Sequence, residues 1–398
     1  MRQIALGMLL TAVAVSASAQ TPTTPSSNGA LQGVTLSTPV LAASATPAAP
    51  AQAPAPAADG FVNFLRKTEL SGTVDGYYTY SANEPTSGSL IPLRVFDNQH
   101  NQFTLALAEL ALSKPATADD HVGFRLDLDY GPVADAVNAF EPGGSTFRNI
   151  QQAYLSYFAN TGGGLTLDFG KFVTPIGAEV IEAKDNWNYS RSILFGYAIP
   201  FYHTGLRLNY TANDKVSVGG TVTNGWNNST ENNSAKSYGL MATIKATKDL
   251  TIVQNYMAGP EQTGNSDDWR NLYDITATCV ANDKLSVMAN YDYGHDTVGG
   301  TGVSWQGVAL YAKAQATPVF AFIPRFEYYN DPDGFSTAFA QTLKELTLTA
   351  EIKHSQGLIT RFEYRGDWSD GEYFVKESGP VKSQNTFTVA MVYGFSSK

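Results

Sequence analysis

The sequence predicts an all-β fold: a transmembrane antiparallel β-barrel of about 16 strands, with short periplasmic turns and long extracellular loops, behind a disordered Pro/Ala/Thr linker. Three observations carry this. From Thr68 onward the hydrophobic period is two. Segments of roughly ten residues are joined alternately by tight turns and long connections. The 398 residues are 43% hydrophobic and only 16% charged, yet no apolar run of transmembrane-helix length follows the extreme N-terminus. The third observation excludes a helical membrane protein. The low charge and 12% aromatic content exclude disorder along the main body of the chain. A net charge of −10 without a basic block excludes nucleic acid as a partner. A single cysteine excludes an internal disulfide and any cysteine-cluster metal centre.

At the N-terminus, Arg2, the apolar stretch 4–15 and Ala17-Ser18-Ala19 predict a signal peptide over 1–19, cleaved on export through the Sec pathway. Residues 20–60 read as a disordered Pro/Ala/Thr/Ser-rich linker, because Pro47, Pro50, Pro54 and Pro56 favour extended polyproline II. Phe61 to Leu65 reads as a short amphipathic turn that opens the barrel domain, 61–398.

Within that domain Val122, Phe124, Leu126, Leu128 and Tyr130 share one face, against Arg125, Asp127 and Asp129 on the other. The same split recurs in 203–212, 284–293 and 341–353. The remaining strands fall at 68–80, 102–114, 149–159, 164–172, 215–224, 236–246, 249–257, 269–281, 305–316, 319–330, 358–367 and 383–395. Tight connections lie at 115–120, 160–163, 213–214, 247–248, 282–283, 317–318 and 355–357. Long ones lie at 81–101, 131–148, 173–202, 225–235, 258–268, 294–304, 331–340 and 368–382. Such a sheet must close in lipid, apolar face outward and charged face toward a water-filled lumen. Strands 2, 9 and 13 break phase. In strand 2, Leu105 and Leu107 oppose Leu110 and Leu112, as a β-bulge would produce.

Several runs look familiar. They include 170–179 (GKFVTPIGAE), 185–192 (DNWNYSRS), 200–205 (PFYHTG), 224–228 (NGWNN) and 331–335 (DPDGF). Together they resemble the β-barrel porin-2, or OmpL-like, outer-membrane porins over the whole barrel. The resemblance implies residence in the bacterial outer membrane, delivery by the outer-membrane assembly machinery and passive diffusion of small hydrophilic solutes and ions. It supplies no catalytic residues and no cofactor. The final strand resembles the aromatic-ended insertion signal of such barrels, although Ser396-Ser397-Lys398 follow Phe395. A homotrimer is a further expectation.

The long connection 173–202 is the expected constriction, because long loops in compact domains usually carry function. It bears Glu179, Glu182, Lys184, Asp185 and Arg191 among many aromatics. In the sixteen-stranded porins that the barrel resembles, the third external loop folds inward. Expected pore-lining cations are Arg125, Arg207, Lys313, Arg325, Arg361 and Arg365. Expected pore-lining anions are Asp127, Asp129, Asp168, Asp274, Asp292, Glu327, Glu351 and Glu363. The loop acids are expected to face the basic arc across a narrow gap. Five scattered histidines give no metal-ligand spacing, so no metal is expected. An outer-membrane enzyme or a secreted all-β binding protein are the alternatives. The first lacks a nucleophile in register with His203; the second would pack its apolar faces inward.

Overall fold

The computed structural model describes residues 57–85, 90–141 and 144–398. The expected signal peptide and most of the linker lie outside the described residues. A helix, α1 (Ala57–Lys67), begins inside the stretch read as linker and replaces the short turn expected at 61–65. Thr68 ends it, donating its N–H and its hydroxyl to the Phe64 carbonyl at 3.0 and 2.9 Å.

The strands follow as β1 (Glu69–Ser81), β2 (Gln102–Lys114), β3 (Val122–Tyr130), β4 (Ile150–Ala159), β5 (Leu165–Val173) and β6 (Tyr202–Thr211). Next come β7 (Val216–Thr223), β8 (Ser237–Lys245), β9 (Leu250–Pro260), β10 (Trp269–Asn282), β11 (Leu285–Val298) and β12 (Thr301–Gln315). The chain ends with β13 (Phe320–Asp331), β14 (Gln341–Lys353), β15 (Leu358–Ser369), a small hairpin of β16 (Phe374–Lys376) and β17 (Gly379–Val381), and β18 (Ser383–Ser396). All but the hairpin form one closed antiparallel barrel of sixteen strands. Closure is made by β1 against β18, from Ser71 opposite Ser396 to Ser81 opposite Thr386. A short helix, α2 (Pro132–Val137), sits in the second long loop with Val133, Ala134 and Val137 buried.

Burial is inverted relative to a water-soluble sandwich. Outward apolar side chains are bare: Phe103 is 90% exposed, Leu240 68% and Phe169 63%. Inward charges are covered: Asp127, Asp274, Arg325 and Glu327 are all at 0%. A secreted binding protein would show the opposite. The bare belt is the surface that meets lipid.

The three strands that break phase do so for two reasons. In β2, Leu107 stands opposite Asp75 and Leu105 opposite Gly76, so Ala106 is an extra residue and the phase flips there. In β13 the register against β14 is unbroken, but Ala321, Ile323 and Tyr329 point inward with Arg325 and are buried. Met257 of β9 is likewise buried beside Asn255 on one face. Met257 and Tyr329 join an apolar cluster with Ile176, Leu194 and Phe195 of the long loop.

The connection expected at 294–304 is not a long loop. Strands β11 and β12 stay paired out to Val298 and Thr301, and Gly299-Gly300 turns the hairpin. Both glycines have positive φ (57° and 79°), the conformation a two-residue hairpin turn requires.

Leu206 of β6 stands level with Phe169 and Val222 on its neighbours, and all three are exposed outward. Leu206→Arg should destabilise the barrel by about 2–4 kcal/mol near the membrane midplane. Arg207→Gln, one residue along and facing water, should leave heat-modifiable gel mobility intact. Comparing the two by urea unfolding in lipid vesicles checks the face assignment.

Candidate pore constriction

The connection between β5 and β6 runs through the lumen. Apart from short turns at Ala183–Asp185 and Leu194–Ala198 it has no regular structure, so its backbone groups need partners from elsewhere. Charged side chains of the wall supply them. Glu363 accepts the N–H groups of Tyr189 and Ser190 at 2.8 and 3.0 Å. Glu327 accepts those of Ile193 and Leu194 at 2.9 and 3.2 Å. Arg361 donates to the carbonyls of Ala183 (2.6 Å), Asn186 (2.5 Å) and Asn188 (3.3 Å). Arg325 donates to Ser190 at 2.6 Å and Arg365 to Arg191 at 2.8 Å.

The same arginines are held by carboxylates. Arg325 meets Glu179 at 3.0 Å and Glu345 at 3.2 Å, Arg361 meets Glu351 at 2.7 Å, and Arg365 meets Asp367 at 2.7 Å. Lys313 reaches Glu351 at 2.9 Å. Apolar contact completes the docking. Ile193, Leu194 and Ala198 are fully buried, Trp305 donates its ring N–H to Ala198, and Phe195 and Phe201 pack on Phe96 of the first long loop. Arg191 fastens the loop to itself, donating to the Tyr189 and Ile181 carbonyls and lying over Phe96.

This arrangement differs from the expected arc of opposed charge. Arg325, Arg361 and Arg365 are buried beneath the loop, in contact with its carbonyls and, through Arg325, with Glu179. The open space lies on the other side. A cavity of about 270 Å³ separates Glu179, Glu182, Lys184 and Asp185 of the loop from Glu109, Arg125, Gln152, Tyr154 and Arg207 of the wall. Arg125 pairs with Asp127 at 2.7 Å, and Gln152 donates to the same carboxylate at 2.5 Å. Arg207 pairs with Asp168 at 2.9 Å and lies over the Phe172 ring at 4.5 Å. Lys184 pairs with Asp185 at 2.5 Å on the water-facing side. Burial pushes the Glu182 carboxyl up to about 7, with repulsion from Glu109 adding to it.

Other expected lining residues are held within the wall. Asp274 accepts from Asn255 and Asn290, each at 2.7 Å, and Asp292 sits beside Asn290. Asp129 is fully buried. Glu109 was not expected in the lumen. The bulge in β2 turns it inward, where it accepts from Thr73 at 2.7 Å. The phase break itself was the signal that could have found it. His203 uses both ring nitrogens, on the Gly225 carbonyl and the Thr174 hydroxyl. The Asp331 carboxylate accepts the N–H groups of Phe335, Ser336 and Thr337 and so closes the turn after β13.

A closed sixteen-stranded barrel with a lipid-facing belt, a charged lumen and an inward third loop is the architecture of an outer-membrane porin, a channel for passive diffusion. The chain belongs to the family described as "Putative beta-barrel porin-2, OmpL-like", whose match spans residues 67–395. Solved barrels share the fold at low identity. The outer membrane channel DcaP of Acinetobacter baumannii is 13% identical with a TM-score of 0.56, covering 82% of this chain and 97% of its own. The anion-selective porin from Comamonas acidovorans is 12% identical with a TM-score of 0.57, covering 82% and 99%. The trimer form of Vibrio cholerae OmpT is 11% identical with a TM-score of 0.55, also covering 82% and 99%. No curated protein matches the sequence. The protein therefore resides in the bacterial outer membrane.

Arg325→Met would leave Glu179, Glu327 and Glu345 buried without their shared cation. It should cost about 3–5 kcal/mol and loosen the loop. Faster protease cleavage between residues 180 and 195, with the barrel still heat-modifiable, is the expected readout.

Proposed function

We propose that the protein passes small hydrophilic solutes and ions through an off-centre passage on the β2–β6 side of the lumen, and that residues 173–202 set its width and charge. The observation that carries this is the cavity of about 270 Å³ between loop and wall, with Glu182 and Asp185 facing Arg125 and Arg207. Opposed charges across a narrow gap produce a transverse field that orders water. Such a field favours polar solutes, which replace the water's interactions, over apolar ones, which do not. Because each wall arginine already has a carboxylate partner, strong ion selectivity is not expected. The porin family and fold support a channel rather than an enzyme. A homotrimer is the expected assembly, supported by the trimer form of the OmpT barrel and by strands β5 to β8 of only eight to ten residues, a short wall that a neighbouring copy would shield.

Single-channel recording under a salt gradient tests this reading. Deleting residues 178–190 should raise conductance, and an unchanged conductance would remove the loop from the pore. Replacing Arg125 and Arg207 by Gln together should move the reversal potential toward cations.

The pore should also respond to pH. Burial, with repulsion from Glu109 and Asp127 on the wall and partial relief from Lys184 beside it, pushes the Glu182 carboxyl up to about 7. Raising the pH from about 6 to 8 should add roughly one negative charge to the constriction and increase cation preference. Glu182→Gln should abolish that shift. The sign for stability is opposite: a carboxyl whose folded value is raised stabilises the docked loop on the acid side, and that stability is lost as pH rises toward about 7.

A further inference from the structure

Helix α1 leaves four large apolar side chains in the open. Phe61 is 63% exposed, Leu65 51%, and Val62 and Phe64 each 42%. At 100° per residue these four occupy about half of the circumference, and Asn63, Arg66 and Lys67 occupy the other half. A water-facing helix has no reason to hold such a face.

Two contacts fix where that face lies. The Phe64 ring stacks on Phe124 of β3, centroids 6.0 Å apart and planes within 11°. Phe124 alternates with Leu126 and Leu128 on the outward side, so the apolar face of α1 continues the belt that meets lipid. On the polar side Lys67 reaches Asp120 at 2.8 Å, and Asp120 also takes Lys114 at 2.8 Å. The two lysines draw that carboxyl down to about 2, so the anchor stays charged. Asp120 belongs to the tight β2–β3 turn, and the tight turns of such a barrel face the periplasm. Lys398 at the C-terminus donates to the Lys67 carbonyl at 2.9 Å, again at this rim.

We propose that α1 is an interfacial helix lying in the periplasmic leaflet of the outer membrane, with Phe61, Phe64 and Leu65 at the boundary between acyl chains and headgroups. A lipid surface fits better than a protein groove because the exposed face is contiguous with the barrel's own lipid belt. Arg66, at the polar margin, stands where a phosphate headgroup would be. The inference rests on the porin reading.

Site-directed spin labelling tests it. In a Cys279→Ala background, single labels at Phe61→Cys, Leu65→Cys and Asn63→Cys are placed in the full chain, reconstituted in phosphatidylethanolamine–phosphatidylglycerol vesicles. A label on the native Cys279, which stands on the outward face of β10 opposite to the buried, inward Asp274 and Thr276, serves as the lipid-facing control, because it reports on the barrel wall independently of the helix. Heat-modifiable mobility identifies the variants that fold, and either apolar position suffices. Collision with oxygen should exceed collision with a water-soluble nickel chelate several-fold at 61 and 65, and the order should reverse at 63. Nickel access at 61 and 65 equal to that at 63 would place the helix in water and overturn the proposal. Exclusion of both reagents at 61 and 65 would mean a protein neighbour or a second copy, and would overturn it too. If the Cys279 label itself reads as water-exposed, the porin reading fails with it.

Discussion

In hydrocarbon, no water is present to satisfy a backbone N–H or carbonyl, and this single constraint organises the molecule. A sheet with an open edge would strand a row of such groups, so β1 must find β18 across the whole chain, and it does over eleven paired positions. Once the sheet is a ring, alternation sends every second side chain inward. The outward half is apolar because lipid is apolar. The inward half is free to carry charge, and Asp127, Asp274, Arg325, Arg361 and Glu363 all do. The polar lumen is therefore a consequence of closure.

The same constraint then acts on the long loop inside. Residues 174–201 bring a stretch of mostly irregular backbone into a narrow space, with many unpaired donors and acceptors. Wall side chains take the place of a second strand. Glutamates cap consecutive N–H pairs at 189–190 and 193–194, and arginines reach carbonyls at 183, 186, 188, 190 and 191. Guanidinium suits this role because its several donors can serve a carboxylate and backbone carbonyls together. Arg361 does so, with Glu351 on one side and three loop carbonyls on the other.

Much of this was legible in the sequence, and the gaps have physical causes. Strand periodicity located the barrel because lipid and water sort residues at every second position. The signal faded wherever something other than lipid or bulk water touched a strand. Tyr329 looks misplaced because it joins the apolar cluster of the inward loop, and Ile323 because Asn188 of that loop donates to its carbonyl. The ends of β11 and β12 were read as loop because, beyond Tyr293, the outward positions become His295 and Thr297, as a hairpin rising above the membrane allows. Glu109 was missed because one extra residue at Ala106 reverses the faces of β2. Arginine positions on the wall could be read from alternation, but their division into loop-bound and water-facing sets could not. That division depends on which side of the lumen the loop takes.

The side taken by the loop has a consequence for the proposed passage. Docking against β13–β15 uses up the strongest cations of the wall, Arg325, Arg361 and Arg365, so they contribute little field to open water. What remains across the cavity is Arg125 and Arg207, each already beside a carboxylate at 2.7 and 2.9 Å. Their pairs present dipoles more than net charge. Facing them are Asp185, itself paired with Lys184, and Glu182, whose carboxyl burial pushes up to about 7. The fixed charges around the gap thus largely balance in pairs. A passage of this kind discriminates mainly by size and polarity, and what ion preference it has follows from the few groups left without a close partner.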